Sequence, residues 1–391
     1  MQQVPDLKEK HLIRESGIEL LKVVAVFLIV LSHVIQTLSS SPTYYPSKEY
    51  VLNITRSTTQ WRQLILSMLR YSGSIGNTIF FISSAWFLIG RRKNDKRKVL
   101  QLFLDNWLIA FLILLSFLAL TVTLDRRLIV KSLFPVISGN NWYIICYMLF
   151  LLVYPFLNDF IEHLNRKMLA RVSSFLFILY IVVIFSLRVF NKKIGATSFF
   201  SSDLIVWIAI YFMLSYMKKY EMKWMDSANI NWKLVLIGFI GTYGLVALTN
   251  AVGLKYKGYN NMLLVWNGNT NHPFIIMMIL GLFNLVRKLS FKSRLVNYLS
   301  GLTLYVYLIH DNVLVKNITR PAIWQHIYEN VGHRFTVKYT ILIAVMLFIA
   351  SCICSIIYKH TFHKGIEKTA GWLYPRLAGQ YGRLEKWFLE L

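Results

Sequence analysis

"LLKVVAVFLIVLSHVI", residues 20–35, places a cation, Lys22, and an imidazole, His33, inside an otherwise apolar run. Such a run suits a helix crossing a hydrocarbon core of roughly 30 Å. At that depth each ionisable side chain costs about 2.5–3.5 kcal/mol on insertion scales and is a functional candidate. Similar runs recur throughout the chain. Of 391 residues, 56% are hydrophobic and only 16% charged, with mean hydropathy +0.49. A soluble helical protein would show amphipathic periods instead. The expected fold is all-α, a polytopic integral membrane helical bundle.

Ten transmembrane helices are expected, at about 18–38, 73–90, 101–124, 142–160, 171–190, 200–217, 234–253, 273–289, 296–315 and 337–359. The segment 56–71 reads as an interfacial helix leading into the second span. Lys and Arg are more numerous in the connectors that lie inside when the N-terminus is cytoplasmic, most clearly in "RRKNDKRK" at 91–98. That bias predicts both termini cytoplasmic. Residues 1–365 form the transmembrane domain, and the mixed aromatic and charged segment 366–391 reads as a cytoplasmic interfacial tail. The first run has no small-residue cleavage site and is expected to persist as a helix. No repeat period marks a solenoid or a duplicated half.

The net charge of +25 sits in short connectors, as topology-setting charge does. A lipid bilayer is therefore the expected partner, and no nucleic acid. Cys146, Cys352 and Cys354 lie in apolar runs without metal-like spacing to histidine. They are expected to be packing residues, and no metal site is expected.

Lys22 and His33 are eleven residues apart, so they fall within about 20° of one helix face and about 16 Å apart along the axis. Glu19 precedes Lys22 by three residues and is within its reach. The plain alternative is an interfacial Glu19–Lys22 pair with His33 near the headgroups. A second span, "VNYLSGLTLYVYLIHDNVLV" (296–315), repeats the pattern with His310 at matching depth. Thr303, Tyr307 and Ser300 lie on the His310 side, and Asp311 follows where it can orient an imidazole. This stripe reads as the wall of a wet cavity, or else as a satisfied polar interface between helices. "SGNNWYI" (138–144) enters the fourth span from outside, which places Asn141, Trp142 and Tyr143 around the outer opening. Asp105, Asn106 and Asp203 are intramembrane polar groups without an assigned partner.

These segments together resemble the acyltransferase family 3 membrane proteins, over roughly residues 14–360. Glu19, Lys22 and His33 match the family's first helix, in which a histidine follows an arginine; lysine stands here for that arginine. "FFISSAWFLIG" (80–90), "NNWYIICYMLFLLVYPFLN" (140–158) and "SGLTLYVYLIHDNVL" (300–314) resemble its second, fourth and late helices. Ser84-Ala85 replaces the usual Ser-Gly, and Gln101 follows Arg97 where a second arginine is common.

The resemblance implies a membrane O-acyltransferase, with O-acetyl transfer the expected reaction, in the bacterial plasma membrane. The donor would be cytosolic acetyl-CoA or another acyl-CoA, a substrate rather than a permanently bound cofactor. The acceptor would be a hydroxyl of an exported polysaccharide or lipid-linked glycan. Glu19, Lys22, Arg91, Arg92 and Arg97 are expected at the donor phosphates, because basic groups at the inner face suit them. His33 is expected as general base or covalent acyl carrier, with His310 and Asp311 orienting it or the acceptor. Asn141, Trp142, Tyr143 and Tyr307 are expected on the acceptor side. A homodimer or the polysaccharide-synthesis machinery would be the protein partner. Competing readings are a succinyltransferase-like modifier, an exopolysaccharide exporter, and a flippase for lipid-linked sugars.

Overall fold

The structure, a computed structural model, describes residues 16–39, 60–91, 96–139, 141–186, 203–255, 272–332 and 334–389. Among these residues every regular element is helical. α1 (Ser16–Ser39) is followed by the short α2 (Gln60–Arg70) and by α3 (Ser72–Leu88). α4 (Lys96–Ala119) leads through α5 (Arg126–Leu133) to α6 (Trp142–His163). α7 (Arg166–Leu176) continues as a π-helical turn (Phe177–Val183) and precedes α8 (Asp203–Lys219), α9 (Ala228–Lys255) and α10 (Pro273–Val286). The last third holds α11 (Arg294–Ser300), α12 (Thr303–His310), α13 (Arg320–Val331), α14 (Thr336–Thr361) and α15 (His363–Leu389).

Helices stand at all ten expected positions. Six are long and apolar enough to cross a membrane: Ser16–Leu38, Lys96–Ala119, Trp142–His163, Arg166–Ser186, Ala228–Leu248 and Thr336–Thr361. α3 and α8 have 17 residues each and α10 has 14. The sequence expects one helix over 296–315, but the chain breaks after Ser300. Leu302 N donates to Leu299 O at 2.9 Å and Thr303 Oγ1 to Ser300 O at 2.8 Å, closing the break locally. Ser300 and His310 both still face α1, at Glu19 and His33 respectively.

α1 is the interior helix. In its membrane window 61% of residues are buried, against 22–44% in the other five, so this apolar run faces protein more than lipid. It packs on α3, α14, α11, α2 and α12. The close approach to α3 depends on small residues. A Cβ at Gly76 would come within 2.5 Å of Ala25 O, and Ser72 Oγ donates to Leu28 O while Ser32 Oγ donates to Arg70 O, both at 2.7 Å. Elsewhere large apolar side chains stay exposed at helical spacing, such as Leu149, Leu152, Phe156 and Phe160 on α6 and Met346, Ile349, Ile353 and Ile357 on α14. In a membrane chain these stripes are the lipid face.

Candidate active site

α1 and α12 meet through their histidines. His33 Nδ1 lies 3.0 Å from His310 Nε2, and the ring centroids are 5.2 Å apart at 27°, so the rings meet edge to edge. His310 Nδ1 lies 2.7 Å from Val306 O. A carbonyl only accepts, so this nitrogen carries the proton and the neutral ring presents a lone pair at Nε2. Asp311 Oδ1 lies 3.2 Å from His33 Nδ1. Two acceptors therefore converge on one nitrogen, which fixes the His33 proton at Nδ1 and leaves Nε2 as the lone pair. Among the described residues Nε2 has no hydrogen-bond partner. His33 keeps 13% of its side chain exposed while His310 keeps 1%, so His33 is the ring a substrate can reach.

Arg320, the first residue of α13, is 2% exposed, and its Nη2 lies 3.3 Å from Asp311 Oδ1. It supplies the opposite charge that a buried carboxylate requires. The sequence reading passed over Arg320 because a cation in a short connector looks like a topology charge. Its signal was the position nine residues after Asp311, directly before Pro321.

Aromatic rings extend the site. Tyr307 lies 5.7 Å from His310 and 5.7 Å from Tyr143, centroid to centroid. Tyr143 also meets Trp207 at 4.9 Å and Trp142 at 5.6 Å. The expected acceptor residues thus adjoin the histidines, but Tyr143 and Asn141 are buried rather than set around an opening, and only Trp142 is half-exposed. Asn141 Nδ2 donates to Asn106 Oδ1 at 2.6 Å, which gives Asn106 the partner the sequence could not name. Among the described residues Asn106 Nδ2 and Asn141 Oδ1 have no hydrogen-bond partner. A buried polar group left so costs about 1–3 kcal/mol.

About 16 Å along α1 from His33, by the helical rise, Glu19 and Lys22 pair at 3.4 Å. Ser300 Oγ donates to Glu19. Lys22 lies over Phe87 at 5.7 Å, and Lys218 and Arg287 lie over Trp86 at 5.1 and 5.6 Å. Cations from α1, α8 and α10 thus gather around the end of α3, where Arg91 is exposed. A cavity of about 470 Å³ opens beside them, lined by Gly90, Asn158, Ser215, Lys218 and Lys219. The two lysines escaped the sequence reading because basic residues closing an apolar run look like topology markers. Arg97 does not join this group; its Nη2 donates to Glu367 O at 2.8 Å and holds α15 against α4. Arg92 lies outside the described residues.

A second polar cluster forms where α4, α12, α14 and α15 meet. Tyr358 Oη donates to Asp105 Oδ1 at 2.6 Å. His363 Nδ1 lies 2.8 Å from Tyr305 Oη and 3.5 Å from Asp105, and its Nε2 lies 3.3 Å from Gln101 Nε2. Among the described residues no group of three or more metal-binding side chains occurs.

In comparison with known proteins, a family model described as an acyltransferase domain matches residues 15–360. No curated protein and no solved structure matches the chain.

Proposed function

The chain belongs to acyltransferase family 3, and from that premise we propose that this membrane acyltransferase moves an acyl group, in the first instance acetyl, from cytosolic acyl-CoA to a hydroxyl of an exported polysaccharide. The observation that carries the reading is the Nε2 of His33, without a partner among the described residues and set by two acceptors at Nδ1. That nitrogen takes the proton of the attacking hydroxyl, while Asp311 stabilises the imidazolium that forms and Arg320 holds Asp311 in place. In this reading His33 acts as the general base.

The donor enters from the basic group at the end of α3. Lys22, Arg91, Lys218 and Lys219 suit its phosphates, and Arg92 belongs to the same connector. The spacing of about 16 Å from Lys22 to His33 along the helix suits a ligand with its charge at one end and its reactive carbonyl at the other. Glu19 orients Lys22 rather than touching an anion. On the far side Trp142, Tyr143 and Tyr307 offer ring faces for a sugar. The topology that places donor and acceptor on opposite sides is ten crossings of the bacterial plasma membrane with both termini cytoplasmic, α15 lying along the inner leaflet.

Purified protein in detergent, given labelled acetyl-CoA and a bacterial exopolysaccharide, tests this reading. Label should pass to the polymer, and His33→Ala should abolish transfer while the protein stays folded. Full transfer by His33→Ala would remove His33 from the mechanism. Label appearing from succinyl-CoA alone would change the acyl group and keep the site.

A further inference from the structure

Acyl transfer places negative charge on the carbonyl oxygen; at the histidine cluster, Tyr307 Oη and Arg320 Nε are buried without a hydrogen-bond partner among the described residues. A base is present, flanked by acceptors: Asp311 Oδ1, His310 Nε2 and the lone pair of His33 itself. A further surplus donor lies nearby among the buried polar groups.

Asn106 and Asn141 are 1% and 2% exposed. They share one hydrogen bond, and Asn106 Nδ2 and Asn141 Oδ1 are left over. Turning both amides over leaves one N–H group and one carbonyl again, so the surplus donor belongs to the pair rather than to one assignment. Asn141 also precedes α6 as its N-cap, and its side chain makes no capping bond. The first turn of a 22-residue helix therefore presents backbone N–H groups and the positive end of its dipole beside that surplus amide.

This helix end lies close to the base. The Tyr307 ring lies 5.7 Å from that of Tyr143, in the first turn of α6, and 5.7 Å from that of His310, whose Nε2 is 3.0 Å from His33 Nδ1. The level along the bundle also fits. Asp105 shares a cluster with Tyr305 through His363, and Leu114 packs with Val313 and Leu314. α4 and α12 are thus in register, with Asn106 level with Val306 and Tyr307. That is about one helical turn from His310, on the side of the basic group from which the donor arrives.

We propose that the Asn106–Asn141 amide pair, with the first turn of α6, whose N-cap side chain makes no capping bond, forms the oxyanion site of the transfer. The proposal rests on the acyl-transfer reading above. The acceptor oxygen bonds to the thioester carbon as its proton passes to His33 Nε2. The carbonyl electron pair moves onto the oxygen facing the amide N–H. When that pair returns, the C–S bond breaks and the leaving thiolate takes the proton back from His33. Donors fixed where charge develops, away from water, act in the transition state more than in the ground state.

Asn106→Asp is the discriminating variant, because it keeps an oxygen to accept from Asn141 Nδ2 and loses the surplus N–H. Asn106→Leu removes the amide without adding charge. In both, kcat should fall about 10²–10³-fold with the KM for acyl-CoA within a few fold of wild type and the melting temperature in detergent retained. A purely structural pair predicts near-normal kcat in any variant that folds, and an acceptor-binding pair predicts a raised acceptor KM with kcat retained. Either result overturns the proposal, as does an unchanged kcat in Asn106→Leu should Asn106→Asp fail to fold. No acyl-CoA-dependent transfer by the wild-type protein would refute the reading beneath it. Active wild type, inactive His33→Ala and active Asn106 variants would refute the oxyanion site alone.

Discussion

α12 carries parts of two clusters built from the same residue types. At its C-terminal end His310 and Asp311 meet His33; nearer its start Tyr305 meets His363 and Asp105. They differ in saturation. His363 is held at both nitrogens, by Tyr305 and Asp105 on one side and by Gln101 and Glu367 on the other. His33 is held at one nitrogen and open at the other. A saturated imidazole ties helices together, whereas an open one can exchange a proton with a ligand. Composition alone does not distinguish these roles.

After loss of His33 itself, the largest effect is expected at Asp311. Asp311→Asn takes the negative charge from His33 Nδ1 and leaves Arg320 buried without a counter-charge. Transfer should fall by about 10³–10⁴-fold, as for loss of the orienting carboxylate in a triad, and stability by about 3–5 kcal/mol. Adding Arg320→Met should recover stability and leave transfer low, measurable as thermal unfolding in detergent beside initial rates. Recovery of transfer in the double variant would mean that the ion pair, not the orientation of His33, is what Asp311 provides.

A smaller effect is expected at the other end of α1. Lys22→Ala should raise the KM for acyl-CoA by about tenfold, the loss of one charge-assisted contact of roughly 1.5 kcal/mol, with kcat little changed. Lys22→Arg should match or lower the wild-type KM, since a guanidinium fork suits phosphate. A fall in kcat at unchanged KM would place Lys22 in the chemistry and dissolve the division of labour along α1.

What could be read in advance follows from the range of each interaction. The pairing of His33 with His310 was legible because helical period and matching depth are properties of single segments. Asp311 was legible by adjacency. Arg320, Lys218 and Lys219 were not, because a cation that ends an apolar run carries the same pattern whether it sets topology or meets a buried partner. The Asn106–Asn141 bond joins α4 to α6, and nothing local in either segment selects the other. The break after Ser300 was hidden because Ser-Gly-Leu tolerates helix, and it is the hydroxyl of Thr303 that makes the interruption self-sufficient.

The smallest effect sharpens the comparison most. His363→Phe keeps a ring of similar bulk and removes both nitrogens from the saturated cluster. Tyr305 and Gln101 each lose a partner, while Asp105 keeps Tyr358. Stability should fall by about 1–2 kcal/mol, and the hold of α15 on α4 should loosen, read as faster hydrogen exchange in that helix. Arg97 still bonds Glu367 O, so α15 should stay docked on average. Transfer should remain within a few fold of wild type, because both ring nitrogens of His363 already have partners. Loss of transfer at retained stability would show that saturation does not separate the two clusters, and that proton exchange in this protein extends from His33 to His363.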